Sequence, residues 1–140
     1  MKNIDLLYKN ELGIAFKWKE NELTSLEEVN FVFKSTGMHL TEKEIIIFNK
    51  QIRLAIANIS NFKDCIRNTH CKPILLESPV TQVSFILSSK ELKLMQDLLE
   101  GSNFSINLKK VLKVLFLIFK RVQKIIEIII KAKPKCKDNL

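Results

Sequence analysis

The chain has 140 residues, 46% of them hydrophobic and 27% charged, which is one domain's worth of sequence with enough apolar material to bury a core without metals or disulfides. That composition excludes a disordered chain. It also excludes a spanning helix of the usual kind, which needs roughly 20 apolar residues in a row, because the longest pure apolar run is the six residues from Val114 to Phe119, bracketed by Lys113 and Lys120.

Met1-Lys2-Asn3-Ile4-Asp5 is followed by no apolar h-region, so no signal peptide is expected. Three cysteines, an odd number, do not make a disulfide framework and fit a reducing compartment. The expectation is a cytoplasmic protein. The net charge of +8 is unevenly placed: residues 1–100 hold 13 Lys/Arg and 13 Asp/Glu, whereas residues 101–140 hold 10 Lys/Arg against Glu127 and Asp138. The whole positive excess therefore sits at the C-terminal end.

Met1 to Asn10 reads as a lead-in with Leu6, Leu7 and Tyr8 available to pack. Leu12 to Lys19 alternates, with Ile14, Phe16 and Trp18 on one side and Ala15, Lys17 and Lys19 on the other, which predicts a half-buried strand. Lys19 to Glu22 is a polar turn. Val29, Phe31 and Phe33 alternate with Asn30, Val32 and Lys34 as a second strand. Ser35-Thr36-Gly37 supplies a turn, with Gly37 suited to a positive φ, and Met38 to Leu40 completes a hairpin.

Thr41-x-x-Glu44 is a capping box, so a helix is expected there, carried to about Asn61 by Ile45, Phe48, Ile52, Ala55, Ile56 and Ile59. Phe62 to Lys72 reads as loop with a helical turn. Pro73 to Glu77, a brief apolar run of Ile74, Leu75 and Leu76, is an expected edge strand, and Val83 to Leu87 is expected as a further strand. Ser88-x-x-Glu91 is a second capping box, opening a helix with Leu92, Met95, Leu98 and Leu99 buried and Gly101 as its stop. Ser102 to Phe104 links it to a long helix from Ser105 to Lys131.

These elements predict an α+β domain over residues 1–104, with a small, mostly antiparallel sheet of about four or five strands and helices on one of its faces. The long amphipathic helix, residues 105–132, is expected to pack on that domain, and residues 133–140 form a basic flexible tail.

The segments Leu7-Tyr8-Lys9-Asn10-Glu11-Leu12-Gly13, Val29-Asn30-Phe31-Val32-Phe33 and Leu40-Thr41-Glu42-Lys43-Glu44 resemble an uncharacterised family of short Bacteroidota proteins. So do Lys72 to Pro79, Val83 to Leu92 and Asp97 to Glu100, and the resemblance runs over about residues 6–115. It implies a domain of unknown function. Members of that family carry a cysteine pair near the second strand; this chain has Lys19 to Glu28 there without a cysteine, so the resemblance implies no metal or redox role at that place.

Few side chains are arranged for chemistry. Cys65, His70 and Cys71 are the one cluster of soft ligand types, and a zinc site would have to take its fourth ligand from His39 or Cys136. The spacing Cys-x4-His-Cys matches no standard knuckle, and a nucleophilic cysteine with a histidine base lacks an orienting third group. The three glycines, Gly13, Gly37 and Gly101, are too far apart for a phosphate loop. Glu27-Glu28 lies in a polar turn, while Glu42 and Glu44 suit the start of a helix. No catalytic constellation, cofactor or small-molecule substrate is expected.

The long helix carries the partner surface. Val111, Leu115, Ile118, Val122, Ile125 and Ile129 recur at alternating spacings of four and three, a heptad-like seam. Phe116, Phe119, Leu112, Ile126 and Ile130 widen it, and with Val114, Leu117 and Ile128 the apolar arc reaches about 200° of the helix. Lys113, Lys120, Lys124, Glu127 and Lys131 occupy the other side. The expectation is a protein-interaction module that forms a homo-oligomer, such as a two-fold dimer, or docks a protein partner through this face. An alternative is a nucleic-acid or ribosome accessory factor whose contacts are Lys120, Arg121, Lys124, Lys131, Lys133, Lys135 and Lys137. A second alternative lays the same helix on a membrane surface.

Overall fold

A computed structural model of the chain describes residues 3–19, 28–59, 62–67, 71–80 and 82–133. Four strands, β1 (Ile4–Lys9), β2 (Gly13–Trp18), β3 (Val29–Phe33) and β4 (Thr36–Leu40), form one antiparallel sheet in that spatial order. Helices α1 (Glu42–Ala57) and α2 (Phe62–Arg67) follow. Strands β5 (Ile74–Glu77) and β6 (Ser84–Leu87) then pair with each other as a separate two-stranded sheet, and α3 (Ser89–Ala132) closes the order. The fold class is α+β.

One face of the larger sheet makes the core. Ala15, Val29, Phe31, Phe33, Met38 and Leu40 are buried there together with Ile45, Phe48 and Ile52 of α1, Leu76, Phe85 and Leu87 of the small sheet, and Leu92, Met95, Leu98, Leu99 and Ile106 of α3. Phe85 is the hinge of this packing: its ring lies 4.9 Å edge-on from that of Phe33 and 6.2 Å from that of Phe48. Each such fully buried apolar side chain contributes about 1.5–3 kcal/mol of transfer free energy.

Both capping boxes form. The Glu44 N–H donates to Thr41 Oγ1 at 3.3 Å while the Thr41 N–H donates back to Glu44 Oε1 at 3.2 Å. At α3, the Glu91 N–H donates to Ser88 Oγ at 3.1 Å and the Ser88 N–H to Glu91 Oε1 at 3.2 Å.

Several expectations are corrected. The lead-in is strand β1, hidden because a bulge between Leu6 and Tyr8 breaks the period-two pattern. On β2 burial does not alternate: Ala15 is 0% exposed and Phe16, on the aromatic side, 9%, whereas Trp18 is 49% exposed, its ring edge-on to that of Phe16 at 5.2 Å. In the hairpin, the positive φ belongs to Lys34 (52°), and Gly37 sits in β4 paired with Val32. The turn therefore starts one residue after Phe33 and not at Ser35.

The cysteine expectation is also corrected. Cys65 and Cys71 are joined in a disulfide, with Cα atoms 5.6 Å apart, so neither is a free thiol able to ligate a metal. His70 and Cys136 lie outside the described residues, and no group of three potential ligands is found among the described ones. The polar turn expected after Lys19, and the tail beyond Lys133, also lie outside the described residues.

The largest correction concerns Gly101. The helix does not stop there, and Ser102 to Phe104 is no link: α3 runs unbroken for 44 residues. Gly101 faces the Tyr8 ring, where a Cβ would meet Cδ2 at 2.6 Å. The glycine serves the close approach of helix to strand and not a helix end. Ser102, fully buried, returns its hydroxyl to the Leu98 carbonyl at 2.5 Å.

Hydrogen bonds fix that approach. Ser105 Oγ donates to the Leu7 carbonyl at 2.7 Å, supplying a partner at the bulge. Tyr8 donates its hydroxyl to Asp97, at 3.0 and 2.9 Å from the two carboxylate oxygens. Asn10 Nδ2 donates to the Leu94 carbonyl at 2.8 Å and to Asp97 at 3.0 Å, while its Oδ1 accepts from the Leu12 and Gly13 N–H groups.

The chain divides into two compact units, Met1–Ile106 and Asn107–Leu140. The described part of the second is the remainder of α3 and Lys133, and none of its side chains belongs to the core cluster. No described helix is long and apolar enough to cross a membrane.

Candidate functional site

Helix α3 carries two apolar lines, and they do not coincide. The buried line is Leu92, Met95, Leu99, Ser102 and Ile106, at spacings of three and four. Ile106 is the last side chain of that line in the core cluster, and Lys109 and Lys113, the next positions at the same spacing, are exposed.

The second line starts at Phe104, itself 68% exposed, and runs through Leu108, Val111, Leu115, Ile118 and Val122 to Ile125 and Ile129. Every predicted interface residue is exposed: Val111, Leu115, Phe116, Ile118, Phe119, Val122, Ile125 and Ile129 range from 46% for Val122 to 60% for Ile129. Fifteen large apolar side chains between Leu108 and Ile130 are exposed together, far beyond the scattered single apolar residues usual on a protein surface.

Two shallow grooves run along this segment. One is lined by Leu112, Leu115, Phe116, Ile118, Phe119 and Val122. The other is lined by Val114, Leu117 and Ile118 with Lys120, Arg121 and Lys124. Ile118 belongs to both, so the grooves flank the seam on its two sides.

The predicted basic patch is placed as follows. Lys120, Arg121, Lys124, Lys131 and Lys133 are exposed, and Lys135 and Lys137 lie outside the described residues. The Lys120 ammonium sits 4.6 Å from the centre of the Phe116 ring one turn earlier, a cation–π contact that lays the lysine stem over an apolar neighbour. Among the described residues the remaining candidates stand apart: Cys65 and Cys71 are joined to each other, and the His39 ring nitrogen Nδ1 contacts Asn30 Oδ1 on the neighbouring strand.

The continuity of α3 through Gly101 is the feature that reading the chain as two helices misses. The helical spacing of Leu92, Met95, Leu99, Ser102 and Ile106 runs across Gly101 without a break and is its signal in the sequence.

The chain matches no known protein family, no curated protein and no solved structure.

Proposed function

We propose that the protein is a self-associating interaction module whose contact surface is the apolar face of α3 from Phe104 to Ile130. The observation that carries this is the exposure of a complete heptad seam, Val111 to Ile129, on a segment whose described side chains take no part in the core. A seam of this kind is self-complementary, and a second copy of the same helix offers the matching knobs and holes. The charges support the same occupant. Lys113, Lys120, Lys124 and Lys131 fall on the sector opposite the seam, so copies meeting along it do not bring these lysines together. Light scattering on the eluting protein tests it: the intact chain elutes as an oligomer, and Leu115→Glu with Ile118→Glu returns it to one copy. A protein that stays at one copy at high concentration overturns the proposal.

A second reading rests on a separate observation, the confinement of the whole +8 to residues 101–140. As a polyanion-binding element, the basic sector would hold nucleic-acid phosphates, with affinity falling steeply as salt rises. Absence of binding to RNA or DNA at low salt removes this reading and leaves self-association untouched.

The Cys65–Cys71 bridge bears on location. Disulfides persist in oxidising surroundings, whereas a cytoplasmic protein would hold these two thiols reduced. Counting free thiols in freshly lysed cells under acid quench decides between them.

A further inference from the structure

We infer that the α3 seam closes as a bundle of three or four copies rather than as a two-stranded coil; this rests on the self-association proposed above. The seam sets Leu108, Leu115, Val122 and Ile129 at the first core position of each heptad and Val111, Ile118 and Ile125 at the second. Two-stranded parallel coils favour β-branched residues at the first position and leucine at the second; leucine at the first with isoleucine at the second moves the preference to three or four strands. The Leu115–Ile118 layer has the latter arrangement, and no leucine occupies the second position between Leu108 and Ile129.

The flanks agree with the core. Leu112, Phe119 and Ile126 line one side of the seam, and Val114, Arg121 and Ile128 the other. In a two-stranded coil these positions stay at the wet edge and usually carry charges; here five of the six are apolar. A ring of three or four copies presents one flank of each helix to the neighbour on one side and the other flank to the neighbour on the other, a heterologous contact that closes by rotation. The groove lined by Leu112, Leu115, Phe116, Ile118, Phe119 and Val122 lies on the Leu112–Phe119 flank and offers an apolar seat for the neighbouring helix. The apolar arc of about 200° is wider than one partner helix covers but is filled by two.

The test is the mass of the intact chain by light scattering and by sedimentation equilibrium, with Phe119→Gln and Ile126→Gln introduced together as the second arm. The expected mass is three or four times the single-chain 16.3 kDa, and polar residues on the flank lower it to two copies while the core seam still holds. A wild-type mass of two copies overturns the bundle but leaves self-association standing, and a mass of one copy overturns both. A wild type of three or four copies that the double variant leaves unchanged also overturns the bundle as built here, since the flank would not then be buried.

Discussion

Gly101 of α3 lies against the flat of the Tyr8 ring of β1, close enough that three ring atoms would stand 2.6 to 2.7 Å from a Cβ at that position. The ring has little freedom to retreat, because its hydroxyl is anchored to Asp97 one turn earlier on the same helix.

Replacing Gly101 by alanine sets two effects against each other. Helix propensity favours alanine by about 1 kcal/mol, while overpacking against the anchored ring costs about 1–3 kcal/mol. The expected outcome is a net loss of stability in urea unfolding. In a Tyr8→Leu background the clash is relieved and the same substitution becomes neutral or stabilising; a loss of equal size in both backgrounds would show that the ring is not the cause.

The Tyr8 phenol is held above its ordinary pKa, first by its hydrogen bond to Asp97, then by desolvation and the carboxylate's charge. A raised pKa means the contribution is fully present below the unfolded tyrosine pKa of about 10 and is lost as pH rises through the folded value. Melting temperatures between neutral and strongly alkaline pH should fall more steeply for the wild type than for Tyr8→Phe. Parallel curves would refute the linkage.

Glu91 behaves in the opposite sense. Burial alone pushes its carboxyl up, but the hydrogen bond from the Lys34 ammonium, the Ser88 N–H and the Lys34 charge outweigh it, and the carboxyl lies below its ordinary range. A depressed pKa gives stability that is present above the unfolded glutamate value of about 4.3 and lost as pH falls through the folded one. Lys34 is half exposed, so solvent screening keeps the contribution at about 1 kcal/mol or less. Lys34→Met should flatten the acid limb of the stability profile and leave the alkaline limb alone.

The Cys65–Cys71 bridge closes a short loop between α2 and β5. Chain-entropy reasoning gives such a loop roughly 2 kcal/mol of stabilisation. Cys65→Ser should lower the urea midpoint by a corresponding amount and make it indifferent to reductant, whereas the wild type should shift toward the variant when reduced. A wild type that ignores reductant would count against the bridge as a stabilising element.

Much of the fold is legible in the sequence. The two capping boxes at Thr41 and Ser88, the alternation of Val29, Phe31 and Phe33, and the helical spacing of Ile45, Phe48 and Ile52 are local signals, and each forms as its pattern requires. The parts that fail are those where a local signal serves a distant contact. Strand β1 lost its alternation to a bulge whose neighbouring carbonyl is taken by Ser105 of α3. The alternation of β2 does not carry over to burial: Ala15, which pairs with Tyr8 where α3 comes closest, is buried beside Phe16, while Trp18 is left exposed.

For the candidate surface the division is the same. An apolar seam from Val111 to Ile129, lysines on the opposite sector and a positive excess at that end of the chain are all readable from residue order. That Gly101 is an approach point and not a stop emerges only when the chain is folded, because the ring it meets comes from a strand more than ninety residues earlier. The folded chain also decided that burial along α3 ends at Ile106: no described side chain beyond it joins the core cluster, so the large apolar side chains from Leu108 to Ile130 are left exposed.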